Sequence, residues 1–219
     1  MDRRAFLAAS AAALATPALA AGPEDVKLRA VFDRIFAENL ANSPEQATAL
    51  GLDKGEGAAA KSRLNDASVA ALDGDKDRTV VHLALLKTVD RARLSPAEQA
   101  NFDAVMFTLS GEAAAGRRYA WGYEGAGQPY VVSQLTGAYQ DIPDFLGSQH
   151  TIETRADADA YLERLVAFGV VMDQESERVR RDVSLGVIPP AFILDRALGQ
   201  MRALKTEPAV SPLVTSLTE

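Results

Sequence analysis

The longest regular pattern in the sequence covers residues 155–184. Apolar side chains such as Tyr161 and Leu165 recur there at three- and four-residue steps, the spacing that puts side chains on one face of an α-helix. Thr154 and Asp157 are suited to capping its first turn. An unbroken helix of this length would span about 45 Å at 1.5 Å per residue, so the rest of the chain has to pack along it.

The same spacing predicts further helices and leaves little room for strands. They are expected over residues 24–40, 76–91, 96–111 and 191–204. A shorter helix is expected to start with Ser43 as its cap and Pro44 in its first turn, with Gln46 completing a capping box and Gly51 ending it. Sustained strand alternation is missing, "PYVVSQL" being the one short candidate. The predicted fold class is all-α, an irregular array of amphipathic helices.

One segment, at about residues 119–150, breaks the helical rhythm. Over residues 130–150 it combines aromatic residues, Gly, Pro and amides with only two formal charges, Asp141 and Asp144. Its apolar side chains favour burial, each contributing about 1.5–3 kcal/mol when removed from water. We therefore expect an ordered, non-helical segment packed across helices, as either a core plug or one wall of a cleft. The residues expected to line such a cleft are Gln134, Tyr139, Gln140, Asp141 and His150.

The first twenty residues have the form of an export signal. A basic start is followed by an Ala-rich apolar stretch and by small residues that fit a signal-peptidase site between Ala20 and Ala21. The "DRRAFL" stretch resembles a twin-arginine motif. Its matching residues are Arg3, Arg4, Phe6 and Leu7. The sequence thus predicts a signal peptide over 1–20 and a helical domain over 21–219, periplasmic or secreted, without a membrane span once the signal is removed.

Composition excludes several classes of function. The chain has no cysteine, so a lipid-anchored lipoprotein, a disulfide and a thiolate metal site are ruled out. Its formal net charge of −7 argues against nucleic acid or an anionic membrane as the main partner.

The motifs of the common enzyme classes are also missing. There is no G-x-S-x-G, P-loop or G-x-G-x-x-G pattern, and neither histidine is followed by Glu as a zinc-peptidase motif requires. His82 is expected to be a partly buried structural residue. Residues 73–77 place three aspartates at calcium-loop spacing without the required glycine. Asp141 and Asp144 are either paired carboxylates for acid–base chemistry or, as favoured here, a helix cap and its neighbour. No catalytic residue, metal ligand or cofactor site is predicted.

Several stretches together resemble a bacterial family catalogued as domain of unknown function 885. They are "SPEQATALGL", "VSQ", "YQDIPDFL", "H-x-I-E-T", "DADAYL" and "GVIPP", in this order from about residue 27 to the end. The resemblance implies a mostly helical, commonly exported protein that is longer than this chain and is zinc-metallopeptidase-like. It also implies that the zinc-binding motif, a His-Glu pair followed by Pro-Gly-His, lies in a C-terminal half that has no counterpart position here.

Three functions are compatible with these observations. The first is the N-terminal helical portion of an exported zinc-dependent hydrolase, whose partners would be the missing C-terminal half of its own fold and a peptide or other small substrate. The second is a non-enzymatic periplasmic binding or scaffold module. The third, ranked last, is a small complete enzyme that uses Asp141, Asp144 and His150.

Overall fold

A computed structural model of the chain describes residues 22–122 and 128–215, and the regular secondary structure in these ranges is helical. No β-strand occurs in them. The α-helices are α1 (Pro23–Ala41), α2 (Pro44–Ala49), α3 (Val69–Leu86), α4 (Pro96–Arg118), α5 (Ala138–Ser148), α6 (Arg155–Ser184), α7 (Ala191–Leu204) and α8 (Pro212–Thr215). Short 3-10 helices cover Gly55–Ala60, Arg91–Arg93 and Pro208–Val210. The all-α class is confirmed, whereas the predicted export signal and cleavage site lie outside the described residues.

The long helix is the sequence prediction that the structure matches most closely. Helix α6 covers Arg155–Ser184, and Thr154 forms a capping box with Asp157. The Thr154 hydroxyl oxygen accepts from the Asp157 backbone N–H at 3.3 Å, while Asp157 Oδ2 accepts from the Thr154 N–H at 2.8 Å. Hydrogen bonds to its carboxylate hold the pKa of Asp157 far below its usual value; the bond from Lys61 contributes most, followed by those from the Thr154 hydroxyl and from the Glu153 and Thr154 N–H groups. The start of α6 is therefore fixed by local chemistry.

The other predicted helices need corrections at their ends. Helix α3 begins at Val69, because Ser68 accepts a capping bond from Ala71 N–H, and it ends at Leu86 rather than at residue 91. Helix α4 passes through Gly111 to Arg118, because an Ala-rich sequence of good helix formers follows that glycine. Helix α2 starts after Ser43 without the predicted side-chain capping bond. Gly51 does end it, with a φ of 69°.

The segment predicted to be non-helical contains a helix. Residues 128–136 are irregular, but Ala138–Ser148 forms α5 with Pro143 inside it. Gly137 precedes this helix with a φ of 121°, a conformation that glycine adopts without steric cost. Asp141 consequently lies within the first turn of α5 and does not cap it. The expected packing is confirmed, since Val131, Tyr139, Ile142 and Leu146 are buried.

Two hydrophobic clusters organise the helices. The first joins α1, α3 and α4 through side chains that include Leu28, Leu86 and Phe102. The second joins α5 to α6 through Ile142, Leu146, Tyr161 and their neighbours. Both clusters use the apolar stripes seen in the sequence, so helical periodicity accounts for the core.

A buried arginine of α6 ties the second cluster to α2 and to the 3-10 helix after it. Arg164 is completely buried. Its Nη2 donates to Thr48 Oγ1 at 2.7 Å and to the carbonyl of Ala60 at 3.0 Å, and its Nε donates to the carbonyl of Arg63 at 2.9 Å. Burial lowers the pKa of Arg164 to about 10, so the guanidinium stays charged at neutral pH.

The same guanidinium also orders the loop between α5 and α6. Its Nη1 lies 2.7 Å from His150 Nδ1, and its carbon lies 4.8 Å from the centre of the Phe145 ring. His150 Nδ1 accepts this bond, so Nε2 carries the proton and donates to the carbonyl of Asp157 at 3.0 Å. Burial lowers the pKa of His150, in agreement with a neutral ring.

None of the described helices has the length and apolar character needed to cross a bilayer.

Replacing Arg164 with Met should lower the free energy of unfolding by about 3 kcal/mol or more, because several buried acceptors would lose their donor. Urea denaturation followed by circular dichroism at neutral pH measures this change. Arg180→Met, at an exposed position of the same helix, is the matched control and should change stability by less than about 0.5 kcal/mol. Equal stability of the two variants would contradict the role given to Arg164.

Candidate functional site

A groove of about 730 Å³ lies between the first three helices of the bundle and the end of α4. Its lining combines amide, charged and aromatic side chains with small residues. The residues that line the groove include Asn39, Asn42, Ser43, Gln46, Asp75, Lys76, Arg78, His82, Glu112, Ala115, Gly116, Tyr119 and Trp121. A concave surface of this size with a few convergent polar groups is the usual form of a ligand site, which makes the groove the candidate functional site.

Helix α4 forms one wall of the groove. On this wall, Ala115 and Gly116 lie three and four residues after Glu112, so the three residues share a face of α4. Tyr119 follows at the end of the helix. Tyr119 and Trp121 pack edge to face, with ring centres 5.2 Å apart and an angle of 73° between the rings. The wall thus runs from a carboxylate, over two small residues, to an aromatic pair.

The backbone just after the aromatic pair is held by α6. Asp182 Oδ2 accepts from Gly122 N–H at 2.9 Å, and Arg178 Nη2 donates to the carbonyl of Gly122 at 2.7 Å. Gly122 has a φ of 97°, and a Cβ there would lie 2.9 Å from the carbonyl oxygen of Gln128. Only glycine fits this position, and both of its backbone polar groups are bonded to one helix.

The floor of the groove contains the histidine of α3. His82 is 2% exposed, and its Nε2 lies 2.8 Å from Glu38 Oε2. Hydrogen bonds from Arg34, and to a lesser extent from His82, hold the pKa of Glu38 below its usual value. Since an ionised carboxylate only accepts, His82 Nε2 donates this hydrogen bond. His82 is therefore buried as predicted, and it also borders the groove.

Glu112 is the acidic group of the groove that has no cationic partner within the described parts of the chain. Desolvation by the surrounding atoms raises its pKa, with a smaller opposing effect of His82, although the side chain keeps contact with solvent on the open side. The nearby basic residues are bound elsewhere. Arg78 pairs with Asp75, and Lys76 Nζ lies 3.7 Å from Asp73 Oδ1.

The wall opposite α4 is uncharged and polar. It is formed at the end of α1 and the start of α2 by Asn39, Asn42, Ser43 and Gln46. Asn42 Nδ2 donates to the carbonyl of Glu38 at 2.7 Å. The amides of Asn39 and Gln46 carry both donors and an acceptor, so this wall suits a neutral polar chain.

The structure separates the residues predicted to line a cleft. Tyr139 is 2% exposed, and its hydroxyl lies 2.7 Å from both the carbonyl oxygen of Ser133 and Gln200 Oε1. Gln140 Nε2 is 3.4 Å from the same carbonyl. His150 lies apart from them, bonded to Arg164. Of the other two predicted residues, Gln134 has its Oε1 buried without a hydrogen-bond partner among the described atoms. Asp141 lies in the first turn of α5.

Asp141 borders a second, much smaller cavity of about 70 Å³, whereas Asp144 is exposed to solvent. In this cavity Glu175 is 3% exposed and its Oε2 accepts from the first backbone N–H of α5, that of Ala138, at 2.9 Å. Burial raises the pKa of Glu175 to about 7, against smaller lowering effects of the Ala138 N–H and Arg178. This cavity has room only for small groups, whereas the groove can hold a larger ligand.

The described residues do not form a zinc site of the kind that the family resemblance implies. Over residues 22–122 and 128–215, no three His, Asp or Glu side chains are arranged to hold a metal ion. Both ring nitrogens of His150 are bonded to protein groups, and His82 Nε2 is bonded to Glu38. These donor sets do not fit the metal.

A family model described as "Bacterial protein of unknown function (DUF885)" matches residues 44–219. The chain belongs to the DUF885 family. Comparison with curated proteins gave no match, and comparison with solved structures gave none either. The matched residues include most of the groove, all of α3 to α8 and the Arg164 network, so these parts of the DUF885 chain belong to the family domain.

Sequence reasoning missed Glu112, Tyr119 and Trp121 as groove residues. Their spacing was visible, because Glu112, Ala115 and Tyr119 continue the helical steps of α4. Ending the predicted helix at Gly111 hid that shared face. The amide wall opposite could not be found in this way, because it depends on how α1 and α2 pack against α3.

The stability of the protein should depend on the ionisation of Glu175. The folded-state pKa of about 7 lies above the ordinary value of 4.5, so the folded state holds a proton that the unfolded state releases. Stability from this group is complete below about pH 4.5 and is lost as the pH rises to about 7, by roughly 3 kcal/mol at about 1.4 kcal/mol per pH unit.

Glu175→Gln, which has no proton to release, should therefore become more stable relative to the wild type across this pH range. Urea denaturation at several pH values between about 4.5 and 8 measures the difference. Glu177→Gln, at an exposed position two residues away, should follow the wild-type profile. A constant difference between Glu175→Gln and wild type at all pH values would show that Glu175 does not titrate as described.

Proposed function

We propose that this chain is the substrate-binding helical portion of an exported, zinc-dependent, peptidase-like hydrolase of the DUF885 family. It would hold a peptide in the groove, while the zinc ligands and the reacting groups would be supplied by other parts of the complete enzyme. The observation that carries the proposal is the groove itself, which has binding groups on three sides in a chain whose described residues offer no convergent metal donors.

Several features of the groove suit an extended peptide. The amides of Asn39 and Gln46 can donate to and accept from main-chain groups, and the aromatic pair Tyr119–Trp121 offers apolar surface to a side chain. The small side chain of Ala115 allows a ligand backbone to approach α4 closely. These are the roles expected of one wall of a peptidase cleft.

A scaffold or binding module without chemistry is the second candidate, and a different observation favours it. Helix α7 buries only Ala197, whereas Phe192 and Leu198 are 62% and 46% exposed. A helix with such a surface can contact another protein. The third candidate, an enzyme based on Asp141, Asp144 and His150, has little support, because both nitrogens of His150 are already bonded.

The proposed function is tested by titrating the purified chain with short peptides. The chain contains one tryptophan, and because Trp121 lines the groove, its fluorescence reports occupancy. We expect a saturable change in emission and no release of new amino groups, with or without added zinc, because the proposal assigns the reacting groups to other parts of the complete enzyme. Ala115→Leu, which narrows the groove, should weaken binding by about tenfold, while Ala114→Leu, outside the lining, should not.

Two results would argue against the proposal. Chelator-sensitive cleavage by this chain alone would place the metal site within it. Failure of every peptide to change the Trp121 signal, in a chain that melts cooperatively, would favour the scaffold module.

Export through the twin-arginine route to the periplasm is the remaining part of the proposal, supported by the residues of the leader. Replacing Arg3 and Arg4 together by Lys should leave an uncleaved precursor in the cytoplasm, because that route reads the arginine pair. Cell fractionation and mass measurement of the mature N-terminus, expected at Ala21, provide the readout. Asp2→Asn, which keeps both arginines, should be exported normally. Normal export of the double lysine variant would instead indicate the general secretory route.

A further inference from the structure

Glu112 gives the groove a negative charge that the surrounding protein does not neutralise. In the described ranges it has no ion pair or hydrogen bond, and the basic side chains around it are directed elsewhere. Lys76 lays its aliphatic stem across Gly116, where a Cβ would come within 3.2 Å of Lys76 Cγ, and extends its ammonium towards Asp73. Arg78 is paired with Asp75. The charge of Glu112 is thus available to a ligand.

The surroundings of Glu112 make a cationic group on the ligand favourable. Removing water from a carboxylate without giving it a partner costs free energy, and the raised pKa of Glu112 reflects that cost. A ligand with a positive group would restore a charge-assisted hydrogen bond, whereas an anionic ligand would add repulsion. The unpaired carboxylate of Glu112 therefore selects the sign of the charge on the ligand.

The distance from Glu112 to the aromatic pair sets the length of the ligand. Glu112 lies in α4 and Tyr119 directly follows the end of that helix, seven residues further on, or about 10 Å at 1.5 Å per residue. An extended peptide covers about 3.3–3.6 Å per residue, so about three residues fit between them. Ala115 lies between the two ends, where a bulkier side chain would block a backbone.

We propose that the groove binds a peptide through its primary ammonium group, with Glu112 as the counter-ion and with Tyr119 and Trp121 contacting an apolar side chain about three residues further on. This inference rests on the proposed function, because it names the chemical class of the peptide that the groove accepts. The amides of Asn39 and Gln46 face the peptide backbone between the two ends.

The ammonium can belong to the peptide N-terminus or to a lysine side chain, and three probes distinguish these sources. They are Ala-Ala-Phe amide with a free N-terminus, the same peptide N-acetylated, and N-acetyl-Ala-Lys-Phe amide. Binding to the whole chain is followed by Trp121 fluorescence and by calorimetry. We expect acetylation of Ala-Ala-Phe amide to weaken binding by about tenfold or more. Recovery of affinity in the lysine peptide would assign the ammonium to the side chain.

Substitution of Glu112 tests the counter-ion. Glu112→Gln keeps the shape of the side chain at a solvent-contacting position, so the variant is expected to fold. It should weaken binding of the free peptide by about tenfold and leave binding of the acetylated Ala-Ala-Phe amide unchanged. Glu177→Gln, on the exposed side of α6, should affect neither peptide.

The outcomes separate the two proposals. Equal binding of the free and acetylated peptides, or equal binding of the free peptide by Glu112→Gln and wild type, would overturn the ammonium site and leave the groove as a peptide site. A lack of saturable binding for all three peptides would overturn the ammonium site together with the proposed function.

Discussion

The arrangement of this protein depends on one buried cation. Arg164 brings α6 together with Thr48 at the end of α2, with the carbonyls of the 3-10 helix and its following turn, and with His150 before α6. Apolar stripes alone would let helices slide along one another, since hydrophobic contact is not directional. Five hydrogen-bonding protons fixed in one plane select a single register for these segments.

Much of the fold could be predicted from sequence because it follows from local rules. Thr154 and Asp157 mark the start of α6, and the stripe from Tyr161 onward gives its face. The ends of α3 and α4 were harder to predict from the sequence, because a glycine such as Gly111 is compatible with both a helix interior and a helix end. Pro143 led to a larger error, because it favoured a non-helical segment where the structure has α5. It lacks a backbone donor, yet α5 tolerates it because Ala138, Ile142 and Leu146 gain burial on the same helix.

The candidate site was much less predictable, for a physical reason. The predicted cleft residues were chosen because their segment combines amides and aromatics, and the structure uses most of these groups to satisfy buried backbone, as Tyr139 does for Ser133. The groove is instead formed by residues that look ordinary in sequence, such as Glu112 and Asn39. Their importance comes from the packing of three helices and from ion pairs that leave one carboxylate without a partner, and neither is encoded in local spacing.

The two bonds that α6 makes to Gly122 have a consequence for the order of assembly. The partners of Gly122 are Arg178 and Asp182, 56 and 60 residues further along the chain. Contacts of such sequence separation form late in folding, because the intervening loop must close first. In a nascent polypeptide in which only α1 to α4 have folded, the backbone that follows Tyr119 and Trp121 would therefore not yet be held in place. The aromatic end of the groove is complete only when the long helix packs against Gly122.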